Sequence, residues 1–252
     1  MLGLFTKINI GSREFLRAAK VRLITHRYAP IPICIITIQD PRKKLFNDIK
    51  KNEIVSLTIG YRGGKQLEWK GSVSLLSTDK NGDQTQIFCD GIEKCFNQKI
   101  TQTWINEQPH AIVEAVSSLT GLSIGRITPV DIILEHMIAD DITIWEVVNR
   151  CQKSLNDFGI NTDYWAFWIG KNGINWGPHF ESGELCFDSG DNLISLTGDF
   201  SDLTAVFTPD LRVSMKVNVK EKNRKYTFGA KRVIHEISNI GRTMIQLESA
   251  DG

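Results

Sequence analysis

The chain has 252 residues, of which 41% are apolar and 23% charged, and its formal net charge is +1. That balance is globular and long enough for a sizeable core; it excludes a disordered chain and a broadly basic surface for nucleic acid or anionic membrane. The five cysteines, Cys34, Cys89, Cys95, Cys151 and Cys186, form no Cys-x-x-Cys pair, so neither a zinc ribbon nor a redox dithiol is indicated. They read as buried free thiols in a reducing compartment.

In chain order, "MLGLFTKINIG" is interrupted by Lys7 and Asn9 before a signal-peptide core can form. The longest apolar run, Ile31 to Ile38, is too short to span a bilayer and contains a proline. The expectation is a soluble protein made in the cytoplasm. "KVRLITHRY" and "IPICIITIQD" are Val/Ile-rich strands, the second apolar on both faces, and "PRKKLFNDIKKN" is a polar connection with one or two helical turns. In "NEIVSLTIGY" the residues Val55, Leu57, Ile59 and Tyr61 share one face at period two. The same parity resumes in Leu67, Trp69, Gly71, Val73 and Leu75. The "RGGK" between them is a turn, Asn81-Gly82 is a hairpin signal, and "QTQIFCD" is the returning strand.

The middle of the chain changes period. Ile112, Val113, Val116 and Leu119 fall on one helical face ending at Gly121, and Ile144, Val147, Val148, Cys151 and Leu155 on another ending at Gly159. Strands return in "TDYWAFWIG" and "GINWG", joined by a Lys171-Asn172-Gly173 turn. They continue through "NLISL", "LTAVF", "RVSMKVNV", "KYTFGAKRVIHEI" and "RTMIQLE".

A shift of 158 residues sets Val55–Asp90 against Val213–Glu248 without a gap. Six of the 36 pairs are identical, Val55/Val213, Ser56/Ser214, Gly71/Gly229, Asn81/Asn239, Thr85/Thr243 and Ile87/Ile245, where composition alone gives about two. Leu57/Met215, Ile59/Val217 and Cys89/Leu247 keep the buried face apolar. A glycine within a strand relieves crowding where a sheet bends, as at a barrel corner. The fold class expected is α+β, mainly β: a small barrel over 1–101, a helical or mixed middle domain over 102–185 and a second, related barrel over 186–252.

Chemistry-bearing motifs fail on inspection. Gly64-Lys65 has Ile59 where a phosphate loop needs its first glycine and is followed by Gln66, with no helix after it. Asp79, Asn81 and Asp83 mimic a calcium loop, but Gln84 replaces its glycine and Asp90 its closing glutamate. His235-Glu236 begins like a zinc hydrolase, yet Asn239 stands at the second ligand position, and His26, His110, His136 and His179 form no ligand pair. Glu135, Asp140 and Asp141 fit helix caps and solvated faces better than a converging catalytic pair, and Lys216 to Lys225 is a solvated hairpin tip. Trp165, Trp168 and Trp176 cluster at one hairpin, where core or subunit contact is favoured over a sugar platform. No catalytic, cofactor-binding or metal-ligating residue is assigned, and no enzyme activity is expected.

The order of these pieces resembles the late control gene D family of phage tail baseplate hub proteins. The resemblance rests on Ile59-Gly60-Tyr61, Trp69-Lys70-Gly71-Ser72-Val73, a strand closing in Asp90, the helices "PHAIVEAVSSLTGL" and "TIWEVVNRCQKSLNDFGI", and "YTFGAKRVIHEISNIGRTMIQLES" with His235 before the last turn. It implies a homotrimer of two tube-like barrels per chain, a pseudo-six-fold ring joining a hexameric tail tube to a trimeric central spike, in a virion baseplate assembled in the bacterial host cytoplasm. Tape-measure and baseplate wedge proteins are further partners it implies, with no membrane, no specific nucleic acid and no cofactor; DNA would pass only through the channel. The spike is expected to be a separate protein, since the sequence ends at Gly252 soon after the second barrel. The alternatives are a tail-associated cell-wall hydrolase and a monomeric sugar- or peptide-binding barrel using the tryptophan cluster.

Overall fold

The computed structural model describes residues 3–16, 19–27, 29, 31–79, 82–162, 165–170, 172–178, 185–213, 215–221 and 224–249. The chain divides into two compact units, Met1–Ile92 together with Glu184–Gly252, and Glu93–Gly183. Asn81, Lys171, His179 and Ser214 lie outside the described residues, and with them parts of two expected turns.

The first unit begins with β1 (Leu4–Ile10), β2 (Arg13–Phe15), β3 (Ala19–His26), β4 (Ile33–Gln39), a short helix α1 (Lys44–Asp48), β5 (Ile54–Tyr61), β6 (Gln66–Thr78) and β7 (Gln84–Gly91). The second unit contributes β8 (Lys99–Glu107), α2 (Pro109–Ser118), β9 (Ile124–Ile127), β10 (Leu134–Thr143), α3 (Ile144–Asp157), β11 (Trp165–Gly170) and β12 (Gly173–Pro178). The chain then returns to the first unit as β13 (Leu185–Asp188), β14 (Leu193–Leu196), β15 (Asp202–Val206), β16 (Lys216–Glu221), β17 (Arg224–Ile237) and β18 (Gly241–Ser249).

The first unit is one 13-stranded sheet in the order β14-β15-β18-β17-β3-β4-β7-β6-β5-β1-β2, with β16 pairing β17 and β13. The fold is mainly β, as expected, but the strand order has two ends and closes into no barrel, and both terminal segments of the chain share this sheet. Two apolar cores lie on it. Ile8, Ile10, Val21, Leu23, Ile36, Val55, Leu57, Ile59 and Ile87 build one with neighbours. Phe187, Leu203, Leu211, Val217, Val219, Val233 and Ile245 anchor the other. The first core also takes in Phe207 and Ile237 from the C-terminal half. Burying each of these large side chains contributes about 1.5–3 kcal/mol, so the halves stabilise one another.

The repeat seen in the sequence is present in the strand pairing, with a correction to its register. In the N-terminal half Gly71 pairs with Gly91 and Val73 with Cys89, a bulge follows, and Leu76 pairs with Ile87. In the C-terminal half Phe228 pairs with Ser249 and Ala230 with Leu247, a bulge follows, and Val233 pairs with Ile245. The third strands therefore match at the 158-residue shift, so that Thr85 answers Thr243, whereas the middle strands are one residue out of step. Gly71 corresponds to Phe228, not to Gly229. The gapless alignment misses this because the turn between β17 and β18 is one residue longer than the one between β6 and β7.

The bulge also corrects the expected apolar face. Leu67, Trp69, Gly71 and Val73 point inward, but the extra residue reverses the parity, leaving Leu75 59% exposed while Leu76 packs on the core. Gly71 serves a packing need. A Cβ there would meet the Asp90 carbonyl oxygen at 2.2 Å and the Trp69 indole at 2.4 Å.

In the second unit the helical faces bury as expected, with Ile112, Val113, Val116, Ile144, Val147, Val148, Cys151 and Leu155 fully enclosed. Leu119 is 47% exposed, because the helix ends before it. Thr143 and Glu146 form a reciprocal capping box at the start of α3, a device contributing about 1 kcal/mol. The expected strands β11 and β12 pair antiparallel, and β9, which the sequence reading did not identify, adds to β12 in parallel.

Replacing Gly71 by Ala is expected to lower unfolding stability by about 1–3 kcal/mol through overpacking. Gly198→Ala, whose added Cβ meets nothing within 4 Å, should stay within about 0.5 kcal/mol. Urea denaturation followed by fluorescence compares the two, and equal midpoints would refute the packing role of Gly71.

Candidate functional site

The residues singled out in the sequence disperse over the structure. Gly64 donates to the Tyr61 carbonyl at 2.9 Å in a tight turn, and Lys65 forms an ion pair with Asp210. The stretch thus ties β5 and β6 to the segment after β15, and the Tyr61 hydroxyl donates to the Phe207 carbonyl at 3.2 Å. Asp79 accepts from the Gln84 amide at 2.9 Å, a hairpin contact.

Among the carboxylates, Asp141 pairs with Lys99 at 2.5 Å on an exposed bulge of β10, and Glu135 and Asp140 are exposed on the same strand. Lys220 pairs with Asp188 at 3.0 Å across β16 and β13. His110 sits on α2 against the Val130 backbone, and His136 is exposed on β10. Trp165 and Trp176 are core residues in edge-to-face contact, with ring centroids 4.9 Å apart, and Trp168 is half-buried. Among the described residues no group of three or more His, Cys, Asp or Glu side chains is placed to hold a metal ion.

Two buried polar nodes stand at matching places in the halves. In the first, the Thr85 hydroxyl donates to the Asp40 carboxylate at 2.8 Å, and the Phe46 amide donates to the same oxygen at 3.0 Å. Burial opposes the charge on Asp40, but these hydrogen bonds outweigh it and hold the carboxyl below its ordinary range. In the second, the Thr208 amide donates to the Thr243 hydroxyl at 2.9 Å, and Thr243 lies 3.1 Å from His235 Nδ1. His235 Nε2 faces the Leu211 carbonyl at 3.4 Å. A carbonyl can only accept, so Nε2 carries the proton and Nδ1 accepts from Thr243. Burial and the Arg212 charge push the imidazole pKa down to about 3. His235 is a neutral structural link, and its neighbour Glu236 turns to the opposite face, toward Lys20 at 3.4 Å.

Glu93 was not flagged by the sequence, where an acidic residue in a short polar stretch carries no signal. Its Oε2 is buried without a hydrogen-bond partner, and burial raises its carboxyl pKa to about 7. Its ionisable neighbour Cys95 is pushed up by burial and by the Glu93 charge, which keeps the thiol protonated and unreactive. Three of the expected buried thiols, Cys34, Cys89 and Cys151, are enclosed. Cys95 is half-buried, and Cys186 is exposed because its position on β13 points outward.

What the fold leaves open is backbone. Beyond its bulge β6 has β7 on one side and no strand on the other among the described residues, and β14 ends the sheet. Unpaired edges are templates for another chain, so the candidate functional surface lies among the sheet edges, which also include β2 and β13.

No family model matches the sequence, and no curated protein matches it. Solved structures match it in fold. A 43 kDa tail protein of prophage MuSo2 from Shewanella oneidensis superposes with a TM-score of 0.73 at 9% identity, covering 98% of each chain. A tail protein from Neisseria meningitidis gives 0.70 at 10% identity over 98% of this chain and 97% of that one. An Escherichia coli component of the type VI secretion system, described as structurally similar to T4 bacteriophage tail proteins, gives 0.63 at 9% identity over 97% of this chain and 77% of the other. The neighbours are tail and secretion-spike proteins, the group to which the sequence motifs pointed, and at such identities the likeness is one of fold.

The His235 geometry sets a pH dependence. The folded pKa near 3 lies below the ordinary histidine value near 6.5, so between them the unfolded chain binds the proton first. Stability from the neutral ring is present above pH 6.5 and is lost as pH falls toward 3. Unfolding free energies from urea titrations between pH 7 and 4 should fall more steeply for the wild type than for His235→Gln, by up to about 1.4 kcal/mol per pH unit. Parallel profiles would overturn the neutral buried assignment.

Proposed function

We propose that this chain is a structural hub of a phage tail baseplate or a related contractile injection machine. It acts as a homotrimer that joins a hexameric tail tube to a trimeric central spike. The observation that carries this reading is the doubled motif within one sheet: two halves with the same strand pairing and the same bulge, each with its own core. Three copies with two near-equivalent halves present six similar positions around an axis while keeping true three-fold symmetry. One face of such a ring matches a six-fold tube, and the other matches a three-fold spike. In this reading each half becomes part of a tube-like barrel only when neighbouring copies complete the sheet.

Joining rings of unlike symmetry requires complementary surfaces and no reacting group. The fold shared with tail proteins and with a type VI secretion component supports the assignment. Two of the perturbed groups, His235 and Asp40, are tied up in structural hydrogen bonds, which fits such a role. The role proposed is accordingly non-enzymatic.

Light scattering on the purified protein, with electron-microscopic class averages, tests the reading. The expected outcome is a three-fold ring with an open axial channel that co-assembles with a phage tail tube protein. A monomer that never joins a tube would sink it.

A further inference from the structure

β1 has a strand on both sides for only part of its length. It pairs β5 from Leu4↔Tyr61 to Ile10↔Val55, whereas β2 covers only Ile8 to Ile10 on the other side. The register identifies the groups left over. The Arg62 amide donates to the Gly3 carbonyl at 3.1 Å and the Gly11 amide to the Ile54 carbonyl at 2.9 Å, so the odd-numbered residues of β1 bond toward β5. In an antiparallel ladder the alternate residues then bond away from it. Ile8 and Ile10 meet Phe15 and Arg13 there. The N–H and C=O groups of Leu4 and Thr6 face the same way and meet no partner among the described residues.

Those main-chain groups line a cavity of about 300 Å³, a volume at the lower end of ligand sites. Its floor is apolar, with Leu4, Ile8, Phe15 and Ala19 packed on the N-terminal core. Arg62 also lines it, at the Leu4 end of β1, where its amide holds Gly3. The Arg62 side chain is exposed and enters none of the ion pairs among the described residues. The cavity thus offers two donors and two acceptors at strand spacing, an apolar floor and a cation at one end.

We propose that this cavity binds the C-terminal end of an extended peptide from a partner protein. A strand entering beside β1 in the direction of β2 runs antiparallel to β1, so its chain end arrives at Leu4 and Arg62. Its last residue lies opposite Leu4 and its third-last opposite Thr6, each exchanging a pair of main-chain hydrogen bonds. The terminal carboxylate accepts from the Leu4 amide and from the Arg62 guanidinium. The side chains of those two ligand residues fall on the face of Leu4 and Thr6, against the apolar floor, so both are apolar and the residue between them is free. Main-chain bonds supply affinity and alternate side chains selectivity, as in other strand-addition sites. A parallel strand would bring its N-terminal ammonium to Arg62, where like charge opposes it. A fatty acid anion would suit the floor and Arg62 but leave the main-chain groups of Leu4 and Thr6 unmatched. The inference concerns a partner's tail and does not depend on the hub reading.

The test screens the full chain against an array of synthetic peptides with free C-terminal carboxylates, varied at the last three positions. Selection of apolar residues at the last and third-last positions is expected. A fluorescein-labelled peptide ending in valine, serine and valine, followed by fluorescence anisotropy, should bind at least tenfold more weakly when its C-terminus is amidated. The same loss is expected when its third-last residue is N-methylated, and with Arg62→Gln; Arg62→Lys should recover part of it. Arg224→Gln, at an exposed arginine on β17, should leave binding unchanged. An array without selection, or binding indifferent to amidation and to Arg62→Gln, overturns the proposal. Binding that survives N-methylation overturns the strand pairing, and displacement of the probe by decanoate with no array selection reassigns the cavity to a fatty acid. Hydrogen exchange gives a structural readout. The amides of Leu4 and Thr6 should slow only with peptide bound, while that of Phe5, bonded to β5, is protected throughout. Equal protection of Leu4 and Phe5 in the free protein would overturn the open edge itself.

Discussion

The backbone of β17 is the constraint on which the first unit depends. One strand must satisfy β16, β18 and β3, and it can do so only because the bulge after Ala230 turns its second half toward a different neighbour. Remove that turn and the two halves lose their shared seam, with it the contribution of Ile237 and Phe207 to the N-terminal core. A strand that changes partners midway is the means by which one chain holds two copies of a motif at a fixed step.

The buried polar nodes fix that arrangement more sharply than the apolar contacts can. Hydrophobic burial is non-directional and tolerates a strand slipped by two residues, which keeps the same face inward, whereas an enclosed hydroxyl must meet its partner or cost about 1–3 kcal/mol. Thr85 and Thr243 occupy equivalent places on β7 and β18, both fully enclosed. One is satisfied by a carboxylate after β4, the other by an amide after β15 and by His235. The position is kept while the partner chemistry differs, as expected where the requirement is register.

Much of this was legible in the sequence, for reasons tied to particular residues. Period-two patterning placed β5 and the first half of β6, and period 3.6 placed the buried faces of α2 and α3, because those signals are local. The identity of Thr85 with Thr243 survived the gapless comparison, since the third strands match at that shift. The Gly71–Gly229 identity was misleading, because a β17–β18 turn longer by one residue puts the middle strands out of step with the third, and a gapless comparison cannot see a turn that gained length. Leu75 was misassigned for a related reason: a bulge reverses parity without leaving a residue signature. The strands β8 and β10 were missed because one face of that ribbon is solvated, with Ile105 and Ile138 exposed among polar neighbours. The capping box of α3 stood in plain view as Thr143-x-x-Glu146. The union of both ends of the chain in one sheet was not legible, because long-range pairing leaves no local trace.

The cross-strand neighbours Cys34 and Cys89 carry a consequence of their own. Both are fully enclosed, and burial pushes the Cys89 thiol up to about 12 and that of Cys34 well above its ordinary value. Oxidation proceeds through the thiolate, which burial disfavours at both positions. Two thiols placed side by side are thereby kept from oxidants by the same isoleucine-rich layer that excludes water. The packing of the N-terminal core thus rests on two thiols that burial keeps in the protonated, unreactive form.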